Sequence, residues 1–174
     1  MEYQRSQNIK EYAREVVSNS AHIRMIAKNP QKPARDYITN LKLILLAMAL
    51  VFIGLLILIF MSKDILCAQL SGMFLTMIIL YVVKIVSCGS TINAIVNSTE
   101  KARVELTPEG VIRTGEYQEI KVYWSSIRCM RVYKYSILFL GNDLKSTPIM
   151  APVENFENFK AFIEENNIEV QVIS

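Results

Sequence analysis

LILLAMALVFIGLLILIFM, residues 43–61, and ILCAQLSGMFLTMIILYVV, residues 65–83, are two uncharged runs of nineteen residues each, separated only by Ser62, Lys63 and Asp64. As a helix, each rises about 28 Å, close to the ~30 Å hydrocarbon core of a bilayer. So short a link sends the second helix straight back beside the first. The sequence therefore predicts a transmembrane hairpin over residues 35–96, with spans at about 41–61 and 65–87. The first run begins some forty residues into the chain and lacks a small-residue cleavage site, so it does not read as a signal peptide.

Charge around the runs sets an expected orientation. Arg24, Lys28, Lys32, Arg35 and Lys42 precede the first span, the turn holds only Lys63, and Lys84, Lys101 and Arg103 follow the second. Short flanks rich in Lys and Arg stay cytoplasmic, so both termini are expected inside a cytoplasmic membrane. Tyr81 and Lys84 fit the inner interface as an aromatic ring and a snorkelling amine. Gly54 and Gly72 lie equally far from Lys63, and Ala68 with Gly72 makes a small-xxx-small spacing. A close helix crossing at Gly54, Ala68 and Gly72 is the expectation, because small residues let backbones approach. The span interiors carry no Asp, Glu, His or Arg, and transport or proton relay normally needs such groups. Anchoring is the better reading of the hairpin.

Residues 1–42 hold eight Lys/Arg against four Asp/Glu, whereas 102–174 hold eight against ten. A modestly basic arm beside a membrane points to anionic headgroups rather than nucleic acid, which asks for a far more basic domain. In residues 1–29, Ile9, Tyr12, Val16, Ile23 and Ile26 recur at helical spacing. An amphipathic helix is predicted there, weakened at Ser18-Asn19-Ser20 and stopped by Asn29-Pro30. Its apolar face suits either the inner leaflet or a protein surface.

From Ala102 to Ser174 the pattern changes to short alternating segments. Arg103–Leu106 alternates, Pro108-Glu109-Gly110 is a turn, and Val111–Thr114 follows. Ile120, Val122 and Trp124 share one strand face, with Glu119, Lys121 and Tyr123 on the other. Ile127–Tyr133, Ser136–Leu140 and Leu144–Met150 complete six candidate strands of an antiparallel meander. Beyond Pro152, Phe156, Phe159, Phe162 and Ile163 form one face of a helix, with Glu154 and Glu157 in its first turn. Ile168–Ile173 alternates weakly and suits a short strand or a tail. The predicted fold is an α+β membrane protein: a two-helix hairpin plus a small antiparallel β-barrel or sandwich closed by a C-terminal helix.

Across residues 37 to about 166 this order carries a family resemblance. The hairpin is followed by Leu106-Thr107-Pro108-Glu109-Gly110-Val111, then Trp124-Ser125-Ser126-Ile127, then Tyr135-Ser136-Ile137-Leu138-Phe139-Leu140 and the phenylalanine-rich helix. It resembles the YcxB-like bacterial membrane proteins, whose C-terminal domain is related to pleckstrin-homology folds. The resemblance implies a tethered interaction or assembly domain in the bacterial cytoplasmic membrane and brings no catalytic motif with it.

Lys121, Arg128, Arg131 and Lys134 could form a basic mouth, although plain alternation puts Arg128 and Arg131 on opposite faces unless a bulge intervenes. Candidate lipid-headgroup contacts are thus Arg24, Lys28, Lys32, Arg35, Lys121 and Arg128. Trp124 reads as core. Cys67, Cys88 and Cys129 share no metal or redox spacing, and the chain contains no nucleophile elbow, P-loop, HExxH or glycine-rich nucleotide loop. No enzyme activity, cofactor or metal is expected. The expected partners are the lipid bilayer and a protein partner or second copy. The expected role is a membrane-anchored, non-enzymatic interaction or assembly module, the alternatives being an anionic-lipid sensor or an accessory subunit of a transport complex.

Overall fold

The computed structural model describes residues 4–31, 36–62, 65–99, 103–115, 118–142 and 148–173, with the side chains of residues 62 and 99 outside that set. The chain divides into two compact units, Arg35–Thr91 on its own and Met1–Ala34 together with Ile92–Ser174.

In the first of these, α3 (Tyr37–Ser62) begins on an Asp36 cap. Its carboxylate accepts from the backbone N–H of Ile38 and Thr39 at 3.1 and 3.3 Å. α4 spans Ile65–Thr99. Both are long and apolar enough to cross a membrane, and only 6% of the most apolar window of each is buried. The Lys84 ammonium lies 5.7 Å from the Tyr37 ring centroid, so the start of α3 stands beside the middle of α4 and the pair is antiparallel. At 35 residues α4 extends about 52 Å, well beyond a hydrocarbon core and beyond the expected end near residue 87. Polar residues such as Ser87, Asn93 and Asn97 occupy the extra turns, where Ser and Thr hydroxyls bond back to the preceding turn, as Thr91 does to the Ser87 carbonyl at 3.0 Å.

Among its described residues, the second unit holds seven strands in two sheets. β1 (Arg103–Thr107), β2 (Gly110–Thr114) and β3 (Glu119–Tyr123) form an antiparallel sheet in that order. β4 (Ile127–Val132), β5 (Ser136–Gly141), β6 (Ile149–Pro152) and β7 (Gln171–Ile173) form the other, in the order β6-β5-β4-β7. The sheets do not close into a barrel, and the expected pure meander is broken because β7 pairs parallel to β4. The predicted strand at Leu144–Met150 is seen from Ile149 onward; residues 143–147 lie outside the described set.

One apolar core joins both sheets to the C-terminal helix α5 (Phe156–Glu165). Val104, Leu106 and Val111 come from the first sheet, Ile127, Met130, Ile137, Phe139 and Ile149 from the second, and Phe159 with Ile163 from the helix. Trp124 does not continue β3. It opens a single 3-10 turn (Trp124–Ser126) that carries the chain from one sheet to the other. Its indole N–H donates to the Thr107 carbonyl at 2.8 Å and its ring meets Phe139 edge-on at 6.4 Å. The core reading of Trp124 therefore holds, with the ring entering from a corner.

Gly110 is required for the first sheet. A Cβ there would lie 2.2 Å from the Val122 carbonyl oxygen and 2.8 Å from Tyr123 Cα. Only glycine lets β2 start so close to β3.

Candidate functional site

The N-terminal arm forms α1 (Ile9–Ala21) and the short α2 (Ile23–Lys28), which belong to the same compact unit as the two sheets. The break falls at His22 rather than at Ser18-Asn19-Ser20, because Ser18 and Asn19 are buried in the packed face and only Ser20 is exposed. The arm covers the side of the second sheet that faces away from the shared core. Ile26, with Val16, Ile23 and Ala27, packs on Cys129, Leu138, Leu140 and Met150. β5 is consequently buried on both faces, Ile137 and Phe139 on one and Leu138 and Leu140 on the other.

Polar contacts fasten this cover along its length. At its head, the Gln4 backbone N–H donates to Asn155 Oδ1 and the Asn155 amide donates to the Gln4 carbonyl, each at 2.7 Å. Next to it, Glu154 Oε1 accepts from the Gln7 backbone N–H at 2.7 Å and the Ser6 hydroxyl at 3.1 Å. A carboxylate is well placed there, at the positive end of α1. In the middle, the Tyr12 hydroxyl donates to the Met150 carbonyl at 3.3 Å. Glu15 Oε2 accepts from the Tyr135 backbone N–H at 2.9 Å, in the β4–β5 turn, and from the Ser136 hydroxyl at 2.7 Å, at the start of β5. At the tail, Arg128 Nη1 donates to the Ala27 carbonyl at 3.1 Å, near the negative end of α2.

Burial sets the electrostatics under the cover. It pushes the Glu15 carboxyl up from its ordinary range, and the bonds from Ser136 and Tyr135 oppose that only in part. It also raises the Cys129 thiol and pushes the Tyr133 phenol up to about 12. The Arg131 guanidinium stacks over the Tyr133 ring, 4.8 Å from its centroid.

The expected basic mouth is not assembled as one cluster. β4 carries a bulge between Ile127 and Cys129, and this irregularity decides where its arginines go. Arg128 is exposed and reaches α2, whereas Arg131 is buried against Tyr133. Lys121 stands on β3 of the other sheet and pairs with Glu109 in the β1–β2 turn. That pairing raises the lysine and lowers the carboxylate from their ordinary values. Arg24 and Lys28 are exposed on α2 with Met25, since Ile23, Ile26 and Ala27 take the packed side. Lys32 and Arg35 lie outside the described residues.

In the hairpin, the expected close crossing at the small residues does not occur within the chain. A Cβ built on Gly54 or Gly72 meets no atom within 4 Å, and Ala68 is exposed. Met48 and Ser71 are the buried positions of the central turns instead. Cys67 and Cys88 are free thiols, as is the buried Cys129.

The spacing of Ile9, Tyr12, Val16, Ile23 and Ile26 was enough to find the arm's helices. Nothing in the sequence marked Glu15 or Asn155 as its fasteners, since each bonds to a residue more than a hundred positions away. Comparison of the chain with protein-family models, with curated proteins and with solved structures found no match.

Proposed function

We propose that this chain is a membrane-anchored, non-enzymatic interaction or assembly module. The apolar hairpin tethers it to a bacterial cytoplasmic membrane with both termini inside. The two-sheet unit with its C-terminal helix is the working part, a YcxB-like domain of pleckstrin-homology type. The observation that carries the reading is the exposure of α3 and α4: two helices with 6% of their most apolar windows buried suit a hydrocarbon solvent, and they are joined to a folded unit with its own core.

A second reading has one observation in its favour. α2 turns Arg24, Met25 and Lys28 outward, an apolar side chain flanked by two cations, which is the chemistry of contact with an anionic bilayer surface. The test is purification of the full chain in mild detergent, with mass determination and identification of co-purifying proteins. A defined partner or a discrete homo-oligomer is the expected result. A lone monomer without partners would overturn the assembly reading, and salt-sensitive binding to anionic vesicles by that monomer would put the lipid reading in its place.

A further inference from the structure

Among the described residues, β3 pairs with β2 and with no other strand, so one of its edges is unpaired. Which groups face that edge follows from the register. Gly115 N–H donates to the Gln118 carbonyl at 2.8 Å, and Trp124 N–H to the Glu109 carbonyl at 3.1 Å. Both bonds join residues of the β2–β3 register, and hydrogen-bonded pairs alternate along an antiparallel ladder. Ile120, opposite Arg113, and Val122, opposite Val111, therefore turn their backbone groups toward β2. Glu119, Lys121 and Tyr123 turn theirs outward. Side chains alternate the other way through the sheet: Ile120 and Val122 pack half-buried on the shared core, and Glu119, Lys121 and Tyr123 stand in solvent. An unpaired edge with half-buried apolar residues on one face is a template for another strand.

We infer that the occupant is β3 of a second copy, paired antiparallel about a two-fold axis at Ile120, so that two three-stranded sheets become one of six. The inference rests on the assembly reading above and names its surface. Charge selects the register. Centring on Ile120 sets Glu119 opposite Lys121 of the other copy, and Lys121 opposite its Glu119, so that each lysine, already paired with Glu109 of its own chain, gains a second carboxylate. Both pairs join residues whose backbone groups face outward, as the hydrogen-bonding pattern requires. Centring on Lys121 would put that lysine against itself, and centring on Val122 would set Lys121 opposite Tyr123 and leave no opposite-charge pair. The pairing is isologous, the usual form of a closed dimer. Confinement of copies to one membrane favours it further by raising their effective concentration.

The test uses the full chain in mild detergent with two affinity tags and two variants, Glu119→Lys and Lys121→Glu. Each variant alone places like charges at both cross-strand positions, and its self-association is expected to weaken about tenfold. Mixed together, the two variants regain both opposite-charge pairs, so tag-to-tag capture of the mixture is expected to return close to the unsubstituted level. This rescue also shows that both variants fold. A homo-oligomer that persists in each variant alone, with no gain on mixing, would overturn the β3 pairing and leave the assembly reading standing. An unsubstituted chain that is monomeric and partnerless would overturn both.

Discussion

Ile26→Ala is the perturbation that most directly tests whether α1 and α2 form a fixed cover. Ile26 is 3% exposed and packs on Cys129, Leu138, Leu140 and Met150. Truncating a buried isoleucine to alanine costs about 2–5 kcal/mol, from lost transfer free energy and the cavity left behind. Taking about 3 kcal/mol, the population with the arm lifted should rise roughly 100-fold, since each 1.4 kcal/mol is a factor of ten. Cys129 reports that population. It is 1% exposed beneath the arm, and burial holds its thiol above the ordinary range. With Cys67 and Cys88 replaced by serine, maleimide labelling at fixed pH follows the open fraction whenever reclosing outpaces alkylation. Labelling of Cys129 should therefore accelerate by about two orders of magnitude while the far-ultraviolet circular dichroism stays folded. Met25→Ala is the control, because Met25 is 62% exposed on the same helix and its loss should leave the rate unchanged. Equal labelling rates in the Ile26→Ala and unsubstituted chains would refute the cover.

Other perturbations address separate links. Because burial raises the Glu15 carboxyl, the docked arm binds a proton more tightly than the free arm does. Its contribution is then fully present below the ordinary carboxylate value of 4.5 and is lost as pH rises through the raised value. Protection of the Tyr135 amide, its exchange rate taken relative to the intrinsic rate at each pH, should fall across that window, and Glu15→Gln should flatten the dependence; pH-independent protection in the unsubstituted chain would contradict it. Gly110→Ala forces a Cβ into the β3 backbone and should lower stability by at least about 1–3 kcal/mol, read as a drop in Tm of the folded unit. An unchanged Tm would mean that the β2–β3 approach is looser than described. Trp124→Phe removes the bond to the Thr107 carbonyl and should cost about 0.5–1.5 kcal/mol in a denaturant titration, with little change in slope. Asn155→Ala frees the Gln4 backbone, and protease cleavage near residue 4 should speed up while α5 remains folded.

Local signals were enough for the elements. The two long apolar helices could be read directly because nineteen uncharged residues on either side of a three-residue turn leave few alternatives to a pair of helices. The first three strands were legible from two-residue alternation and from turns such as Pro108-Glu109-Gly110, β4 and β5 from short apolar runs, and α5 from the spacing of Phe156, Phe159, Phe162 and Ile163. Each of these depends on neighbours in the chain. The surface that α1 and α2 cover does not, since an amphipathic stripe fits a leaflet and a sheet equally well. Glu15 reaching Ser136 and Asn155 gripping Gln4 exist only once segments more than a hundred residues apart are brought together. The paths of Arg128 and Arg131 turned on a bulge that alternation cannot foresee, and the parallel pairing of β7 on β4 depended on where α5 delivered the chain. Patterning within a window selects the element and its apolar face, whereas which faces meet is settled by burial and hydrogen-bond satisfaction over the whole unit.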